Sequence, residues 1–158
     1  MIIRNAEEKD IGRILELLSQ VLEVHAAIRP DLFISGTTKY SADEVAAMLR
    51  DETRRTYVAA DETDTVQGYA MCILRKPAES AVLVPVTTLY IDDLCVDEAF
   101  RGRQIGKALF AHVKAQAELL HCDEITLNVW EGNHAAEAFY EAMGMRPKYT
   151  DLELRLDD

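Results

Sequence analysis

The chain has 158 residues, an apolar content of 49% and a net charge of −11. Its size predicts one domain with a shared core, no apolar run approaches the roughly 20 residues of a membrane helix, and the first ten residues are charged where a signal peptide would be apolar. The negative charge excludes nucleic acid as an expected partner, since binding to phosphates depends on cations. We therefore expect a cytoplasmic protein with reduced thiols, because its three scattered cysteines form no CxxC pair.

The amino-terminal part predicts a strand followed by two helices. The opening MIIRNA is typical of a short strand, and apolar residues from Ile11 to Leu22 recur at helical spacing. The loop HAAIRPDLFISGTTKY then breaks that period. Ser41 and Glu44 have the spacing of a capping box, which predicts that a second helix begins there.

From residue 56 onward the pattern predicts a hairpin and then alternating strands and helices. TYVAAD and VQGYAMCILRK are β-rich and flank a turn at 62–65. The later predicted elements are the strand PVTTLYIDDLCV, a helix from Ile105, the strand EITLNVW, the helix NHAAEAFYEAMG and a last strand KYTDLELRL. The order βααβββαβαβ indicates a mixed α/β fold with a strand–helix–strand crossover in its second half.

The stretch CVDEAFRGRQIGKALF, which joins the fourth strand to the next helix, carries three cations and two glycines. A glycine-containing turn that enters a helix presents unpaired amides together with the positive end of the helix dipole. Such a turn binds anions, and its added cations favour a pyrophosphate over a single carboxylate. The alternative is that the glycines only shape a turn and the cations are solvated. The P-loop and dinucleotide glycine patterns are both absent.

Within that stretch, RGRQIG resembles the (Q/R)xxGx(G/A) pyrophosphate motif of the GNAT superfamily of acetyl-CoA-dependent N-acetyltransferases, with Arg101, Ile105 and Gly106 in matching positions. The fourth position, commonly glycine, is Gln104, which adds a side chain where the family's backbone faces phosphate. LNVWEGNHAAEAFYEAMGM is similar to the second cofactor segment of the family, and the predicted order of elements is that of the GNAT fold. The amino-terminal half matches in layout only.

The resemblance implies that residues 1–158 form a single GNAT domain of the α/β (mixed α+β) class. Its central twisted sheet would be mixed but mostly antiparallel, with six to seven strands, about four flanking helices and a splay between strands 4 and 5. Acetyl-CoA would be the co-substrate, without a metal, and its pantetheine arm would pair with the fourth strand as if it were a missing strand. The residues that the resemblance assigns to the cofactor are Leu94, Cys95, Val96, Arg101, Gly102, Arg103, Gln104, Ile105, Gly106, Lys107, Asn133, Ala136 and Tyr140. Asn133 has a second reading as an ordinary helix N-cap, and the two roles are compatible.

Acetylation of an amine passes through an oxyanion and expels a thiolate, so the site needs an oxyanion donor, a route for the amine's proton and an acid for the sulfur. Tyr140 lies where the family places a catalytic tyrosine, although it also reads as a core aromatic beside Phe139. Asp92 and Asp93 are both candidates for the base, and as strand neighbours they point to opposite faces unless a bulge intervenes. An amide near Leu94 is the expected oxyanion donor.

The loops before the second helix and before the fourth strand flank the acceptor cleft that the resemblance implies. Asp31, Phe33 and Tyr40 could line a pocket for an amine with an apolar body, and the alternative is that they pack the loop. The resemblance implies transfer of an acetyl group to a primary amine of a small molecule or peptide by direct attack in a ternary complex. An inactive CoA-binding sensor and a protein acetyltransferase stay open as alternatives. A homodimer through the last strand is a further expectation, although KYTDLELRLDD also reads as a charged edge.

Overall fold

A computed structural model describes residues 1–157, which form a mixed α/β fold with elements in the order β1-α1-α2-β2-β3-β4-α3-β5-α4. The strands are β1 (Ile2–Asn5), β2 (Arg54–Ala60), β3 (Val66–Arg75), β4 (Thr88–Val96) and β5 (Glu124–Leu127). The helices are α1 (Ile11–Ile28), α2 (Ala42–Arg50), α3 (Ile105–Leu119) and α4 (His134–Ala142). The predicted capping box forms, because the Ser41 hydroxyl accepts from the Glu44 amide and the Glu44 side chain accepts from the Ser41 amide.

The five strands form one sheet in the order β1-β2-β3-β4-β5. Neighbours from β1 to β4 are antiparallel, whereas β4 and β5, which α3 connects, are parallel. Pairing between β4 and β5 ends at Ile91 and Leu127, but β4 continues to Val96 along β3. Beyond Ile91, β4 therefore has no strand partner on the β5 side, and we refer to the region beyond this point as the gap between β4 and β5.

Two apolar clusters cover the two faces of the sheet. Beneath α1 and α2 the buried residues include Leu17, Leu18, Val45, Tyr69, Met71 and Cys95. Beneath α3 they include Cys72, Leu89, Ile91, Leu109 and Val113. These residues follow the helical period in α1 and α3 and the period of two in the strands. The exception is β4, where Ile91 and Cys95 lie on opposite faces because a bulge comes between them.

The expectation of six to seven strands is not confirmed, because residues 1–157 form five. The predicted last strand KYTDLELRL has the alternation of a strand but lies outside the sheet. Its leucine side chains are almost fully exposed, at 86% for Leu152, 85% for Leu154 and 93% for Leu156. A strand needs a neighbour with which to exchange backbone hydrogen bonds, and alternation alone does not supply one.

No helix in residues 1–157 is long and apolar enough to cross a membrane.

Candidate functional site

A β-bulge brings the two predicted carboxylates to the same side of β4. Met71 of β3 is paired with Asp93, whereas the next residue, Cys72, is paired with Ile91, so Asp92 is the extra residue. Asp93 therefore lies on the face of Met71, beneath α1 and α2, and Asp92 contacts the loop between those helices. The bulge occurs where pairing with β5 stops, and it places both acids at the mouth of the gap.

Asp92 is held by two side chains from the α1–α2 loop (residues 29–41). The Tyr40 hydroxyl donates to one carboxylate oxygen of Asp92 at 2.5 Å. Lys39 Nζ donates to the other carboxylate oxygen and to the backbone oxygen of Asp92, both at 3.2 Å. Because the Asp92 side chain is only 12% exposed, these contacts replace much of its hydration.

The surroundings of Asp93 favour its protonated form. Burial raises the pKa of its carboxyl to about 6, and the nearby positive charge of Lys39 limits that rise. The buried Tyr69 hydroxyl has no hydrogen-bond partner within residues 1–157, and its pKa is raised well above its ordinary value by burial and by the Asp93 charge. A carboxyl that titrates near neutral pH suits a group that must accept and release a proton.

Tyr140 lies on α4 and packs against the cluster beneath α3. Its ring centroid is 5.1 Å from that of Phe139 and 6.3 Å from that of Phe110. Burial and the Asp93 charge raise the pKa of Tyr140 above its ordinary value of 10. The phenol is therefore protonated at neutral pH, and its packing as an aromatic residue is compatible with proton donation.

The β4–α3 turn (residues 97–104) has the backbone geometry of an anion site. Gly102 and Gln104 have positive φ angles of 78° and 65°, and α3 begins at Ile105. The amides of the first helical turn have no partner within the helix and point along the positive end of its dipole. Gln104 takes the left-handed conformation that glycine adopts most easily, so its side chain does not prevent the turn from forming.

Around this turn the predicted cationic residues Arg101, Arg103 and Lys107 are exposed. Arg101 Nε donates back to the Val96 carbonyl at 3.3 Å, whereas the Arg103 guanidinium lies 5.3 Å from the Phe100 ring centroid. These cations therefore add positive charge to a turn whose shape is set by the backbone.

Gly106 lies where the first turn of α3 approaches β4 and α4. A Cβ at this position would lie 3.3 Å from Phe139 Cε2 and 3.6 Å from Val96 Cγ2. Glycine fits here because neighbouring side chains occupy the space that a Cβ would need. The backbone of α3 can therefore lie close to the end of β4.

Sequence reasoning did not single out Asp97, the residue that fixes the β4–α3 turn to α1. Its buried carboxylate forms an ion pair with Arg13 and accepts from the Ala99 amide at 3.0 Å and from the Gln20 amide group at 3.3 Å. The Gln20 side chain in turn accepts from the Glu98 amide at 3.1 Å. No local pattern singles out this aspartate, because Arg13 and Gln20 are more than 70 residues away in sequence.

The predicted strand residues Leu94, Cys95 and Val96 lie on the part of β4 that is paired with β3 but has no partner on the β5 side. Leu94 and Val96 pack toward α3, while the Cys95 thiol lies beneath α1 and donates to the Leu17 carbonyl at 3.6 Å. Burial raises the pKa of Cys95 to about 12, so the thiol is not a nucleophile near neutral pH. What the strand offers to a ligand is therefore its backbone edge.

Asn133 and Ala136 lie at the start of α4. The Asn133 side-chain oxygen accepts from the Ala136 amide at 3.3 Å, which is the N-cap that the sequence allowed. Ala136 is the third residue of α4, so both residues lie at the end of the helix that carries the free amides.

The three predicted acceptor residues are not gathered at one point. Tyr40 reaches Asp92, but Phe33 stacks between His25 and Trp130, with ring centroids 5.2 Å and 5.3 Å away. Asp31 forms ion pairs with Arg29 at 2.7 Å and with Arg155 at 3.5 Å, and the Arg29 hydrogen bonds lower its pKa to about 2. Asp31 is thus an exposed partner of the carboxy-terminal segment rather than a neighbour of the two acids.

Trp130 and Lys39 are the site residues that sequence reasoning missed. Trp130, on the β5–α4 loop, makes an edge-to-face contact with Phe33 of the α1–α2 loop. Lys39 directly precedes the predicted Tyr40, and that adjacency was the only signal for its contact with Asp92. Within residues 1–157 no cluster of three metal-ligating side chains is found.

The family model described as the acetyltransferase (GNAT) family matches residues 20–145. No match was found among curated proteins. Among solved structures, a mutant of the BH1408 protein from Bacillus halodurans is 33% identical, with a TM-score of 0.95 and 99% of each chain covered.

Two more distant structures share the fold. An aminoglycoside N-acetyltransferase in complex with CoA is 16% identical, with a TM-score of 0.73 and 98% of each chain covered. A glucosamine-6-phosphate N-acetyltransferase from Arabidopsis thaliana is 21% identical, with a TM-score of 0.70, and the alignment covers 99% of this chain and 98% of that chain.

Proposed function

The chain belongs to the GNAT acetyltransferase family, and from that premise we propose that it transfers the acetyl group of acetyl-CoA to a primary amine by direct attack in a ternary complex. The observation that carries the proposal is the gap beyond Ile91 and Leu127, where a free strand edge, two carboxyls and a helix amino terminus converge. The same proposal treats residues 1–158 as one domain that acts in the cytoplasm.

The residues present fit acetyl-CoA at both ends of the gap. The β4–α3 turn and the first turn of α3 offer amides and cations to the pyrophosphate. The free edge of β4 from Asp92 to Val96 offers backbone groups to the pantetheine arm, in the manner of strand addition. A family relative by fold holds CoA, which supports this assignment.

We assign different roles to the two acids, one in positioning the acceptor amine and the other in accepting its proton. An acceptor amine is protonated near neutral pH and must lose a proton before it attacks. We assign Asp93 as the base, because its pKa is about 6 and Asp92 is engaged by Lys39 and Tyr40. Asp92 would then position the amine, and an amide near Leu94 would donate to the oxyanion.

Tyr140 is assigned as the acid that protonates the departing sulfur. Its raised pKa keeps the phenol protonated, so that it can donate a proton to a thiolate. Acetyl transfer requires a base that accepts the amine's proton near neutral pH and an acid that is still protonated there. The raised pKa values of Asp93 and Tyr140 suit these two roles.

The acceptor class is a primary amine with an apolar or aromatic body. The α1–α2 loop supports this class because it presents Tyr40 at Asp92 and the Phe33–Trp130 contact farther out. The distant relatives act on an aminoglycoside and on a phosphorylated amino sugar, so a small molecule is the first candidate and a peptide amine is the second. An inactive CoA sensor is the alternative, and the intact geometry of the turn at Gln104 argues against a decayed site.

We further propose a homodimer through residues 151–157. Glu153 and Arg155 face the α1–α2 loop, where they pair with Arg29 at 2.6 Å and with Asp31 at 3.5 Å, while Leu152, Leu154 and Leu156 are exposed. Antiparallel pairing of two copies centred on Leu154 would place Glu153 of one copy opposite Arg155 of the other and would bury the leucines.

The dimer is tested by molar mass in solution. Substitution of Leu152, Leu154 and Leu156 by serine should reduce the mass from twice 17.8 kDa to 17.8 kDa. A wild-type protein that is monomeric at high concentration would contradict the dimer and leave the acetyltransferase proposal intact.

The acetyltransferase proposal is tested first by calorimetric titration with acetyl-CoA, with CoA and NADH as comparison ligands. Saturable binding of both CoA species and no binding of NADH is expected, followed by thiol release that depends on an amine from a panel of amino sugars, polyamines and peptides. Binding without release on any amine would favour the sensor. No binding of either CoA species would refute the proposal.

A further inference from the structure

Lys39 brings a primary amine of the chain itself to the two acids. Its Nζ lies 3.2 Å from a carboxylate oxygen of Asp92 and 3.2 Å from the Asp92 backbone oxygen. The Lys39 side chain is 42% exposed, whereas the Asp92 side chain that it contacts is 12% exposed. An amine therefore already lies beside one of the two carboxylates of the proposed site.

The charges around Lys39 are those that an incoming acceptor would meet. Although burial alone would lower it, the pKa of Lys39 is raised by Asp92 and Asp93, and the neighbouring Tyr40 adds to the rise. Burial and the Lys39 charge together lower the pKa of the His25 imidazole on α1. Lys39 thus enters the site protonated and must lose a proton to react, as a free amine substrate would.

The distance that remains to the reacting position is short. Asp92 is the first β4 residue beyond the pairing with β5, and the amide near Leu94 lies two residues farther along the strand. Two residues of a strand span roughly 6–7 Å. A lysine stem has four flexible carbons, so a change of rotamer with a small movement of the α1–α2 loop covers much of that distance.

We propose that Lys39 is a self-acetylation site, at which the amine of the α1–α2 loop accepts the acetyl group inside its own molecule. The inference rests on the proposed acetyltransferase function. It identifies an acceptor on the chain itself, an amine on an unbranched alkyl stem presented next to an aromatic ring.

The step balances without a further reactant. Lys39 loses one proton to Asp93, its nitrogen forms a bond to the carbonyl carbon of the thioester, and the carbon–sulfur bond breaks. The nitrogen loses a second proton as the amide forms. Tyr140 protonates the sulfur and regains one of the two protons that the nitrogen has lost. The products are therefore Nζ-acetyl-lysine, free CoA thiol and one proton in solvent.

Acetylation would release Asp92. The product has no positive charge and one N–H donor, so the ion pair with Asp92 is lost, while the Tyr40 hydroxyl bond is free to remain. The chain would thereby replace its internal amine with an open position for an external one.

The test uses the purified full chain, acetyl-CoA carrying a deuterated acetyl group, and peptide mass mapping over time. Lys148 is the matched control, because it also forms an ion pair, with Glu124 at 2.9 Å, and is 60% exposed but lies on the carboxy-terminal segment. With acetyl-CoA, Lys39 should be labelled at least about tenfold faster than Lys148. With acetic anhydride and no CoA, the order should reverse, because Lys39 is the less exposed of the two.

Tyr140→Phe should slow labelling at Lys39 and leave labelling at Lys148 unchanged. The first-order rate should not depend on protein concentration, and a rate that rises with concentration would overturn the intramolecular step. Equal labelling of both lysines by acetyl-CoA would mean simple chemical acetylation and would also overturn the inference.

Amine-dependent thiol release with an unlabelled Lys39 would refute self-acetylation and leave the proposed function standing. Absence of acetyl-CoA binding in calorimetry would instead refute the proposed function, and the inference with it. The two failures are therefore distinguishable.

Discussion

The two sides of the gap between β4 and β5 are built from different groups. On the proposed cofactor side, the β4–α3 turn presents backbone amides and is anchored to α1 through the buried Asp97. On the proposed acceptor side, the α1–α2 loop is held by side-chain ion pairs, those of Arg29 with Asp31 and of Lys39 with Asp92.

This difference predicts how each side responds to change. A site made of amides keeps its shape when most side chains change, as Gln104 at a position that favours glycine illustrates. A site made of charged side chains alters its chemistry with each substitution. We therefore expect the proposed cofactor site to tolerate substitutions better than the proposed acceptor site.

The largest effect is expected at Tyr140, the proposed acid. Tyr140→Phe should lower turnover by about 10²-fold, because the departing sulfur loses its acid, while acetyl-CoA affinity changes little. Thiol release and calorimetry measure the two quantities separately. Tyr149→Phe is the control, since Tyr149 is 74% exposed. Unchanged turnover would make Tyr140 a packing residue only.

Asp93→Asn should lower turnover at neutral pH by roughly tenfold, because water can carry part of the proton transfer. Its carboxyl ionises as pH rises through about 6, so the wild-type rate should rise across that pH and the variant should lack this limb. The pH profile of kcat/KM checks this, with Asp92→Asn as the matched variant that keeps the limb. If only Asp92→Asn removes the limb, the base has been assigned to the wrong acid.

The same ionisation affects stability. The folded pKa of Asp93 lies above the ordinary value of 3.8, so the folded chain holds a proton that the unfolded chain has released between about pH 4 and pH 6. Asp93 should therefore lower stability as pH rises through that window. Denaturant unfolding at pH 4 and pH 7 should show a smaller loss for Asp93→Asn than for the wild type, and an equal loss would contradict the shift.

On the cofactor side, Lys107→Ala should weaken acetyl-CoA binding by about fivefold, which corresponds to about 1 kcal/mol for one exposed cation near phosphate. Lys114→Ala is the control, because Lys114 is exposed on the same helix beyond its first turn. Calorimetry at two salt concentrations should show a smaller salt dependence for Lys107→Ala only. Equal effects of both variants would indicate general charge rather than contact at the turn.

The smallest effect is expected at Gln104. A left-handed conformation costs a non-glycine residue about 1–2 kcal/mol. Glycine relieves this cost but loses more conformational entropy on folding, which offsets part of the gain. Gln104→Gly should therefore stabilise the fold by about 0.5 kcal/mol. Thermal unfolding measures this change. Gln116→Gly, within α3, should instead destabilise by about 1 kcal/mol. A destabilised Gln104→Gly would show that the side chain contributes contacts of its own.

The sequence alone determined most of the elements and the position of the glycine-containing turn before α3. Each of the signals used depends on residues that are close together in the sequence. These signals are the helix periods, the strand alternation, the Ser41 capping box and the glycines around the β4–α3 turn. Local spacing fixes which amides are free and which faces are apolar, so the order of elements and the anion turn could be predicted before the structure.

Tertiary structure decided the acceptor side and the fate of the last segment. The bulge that turns Asp92 and Asp93 to one side depends on β3, and the contact of Lys39 with Asp92 joins residues 53 apart. KYTDLELRL has the alternation of a strand but lies outside the sheet. These features depend on which groups meet across the fold, and the periodicity of a single segment carries no information about its partner.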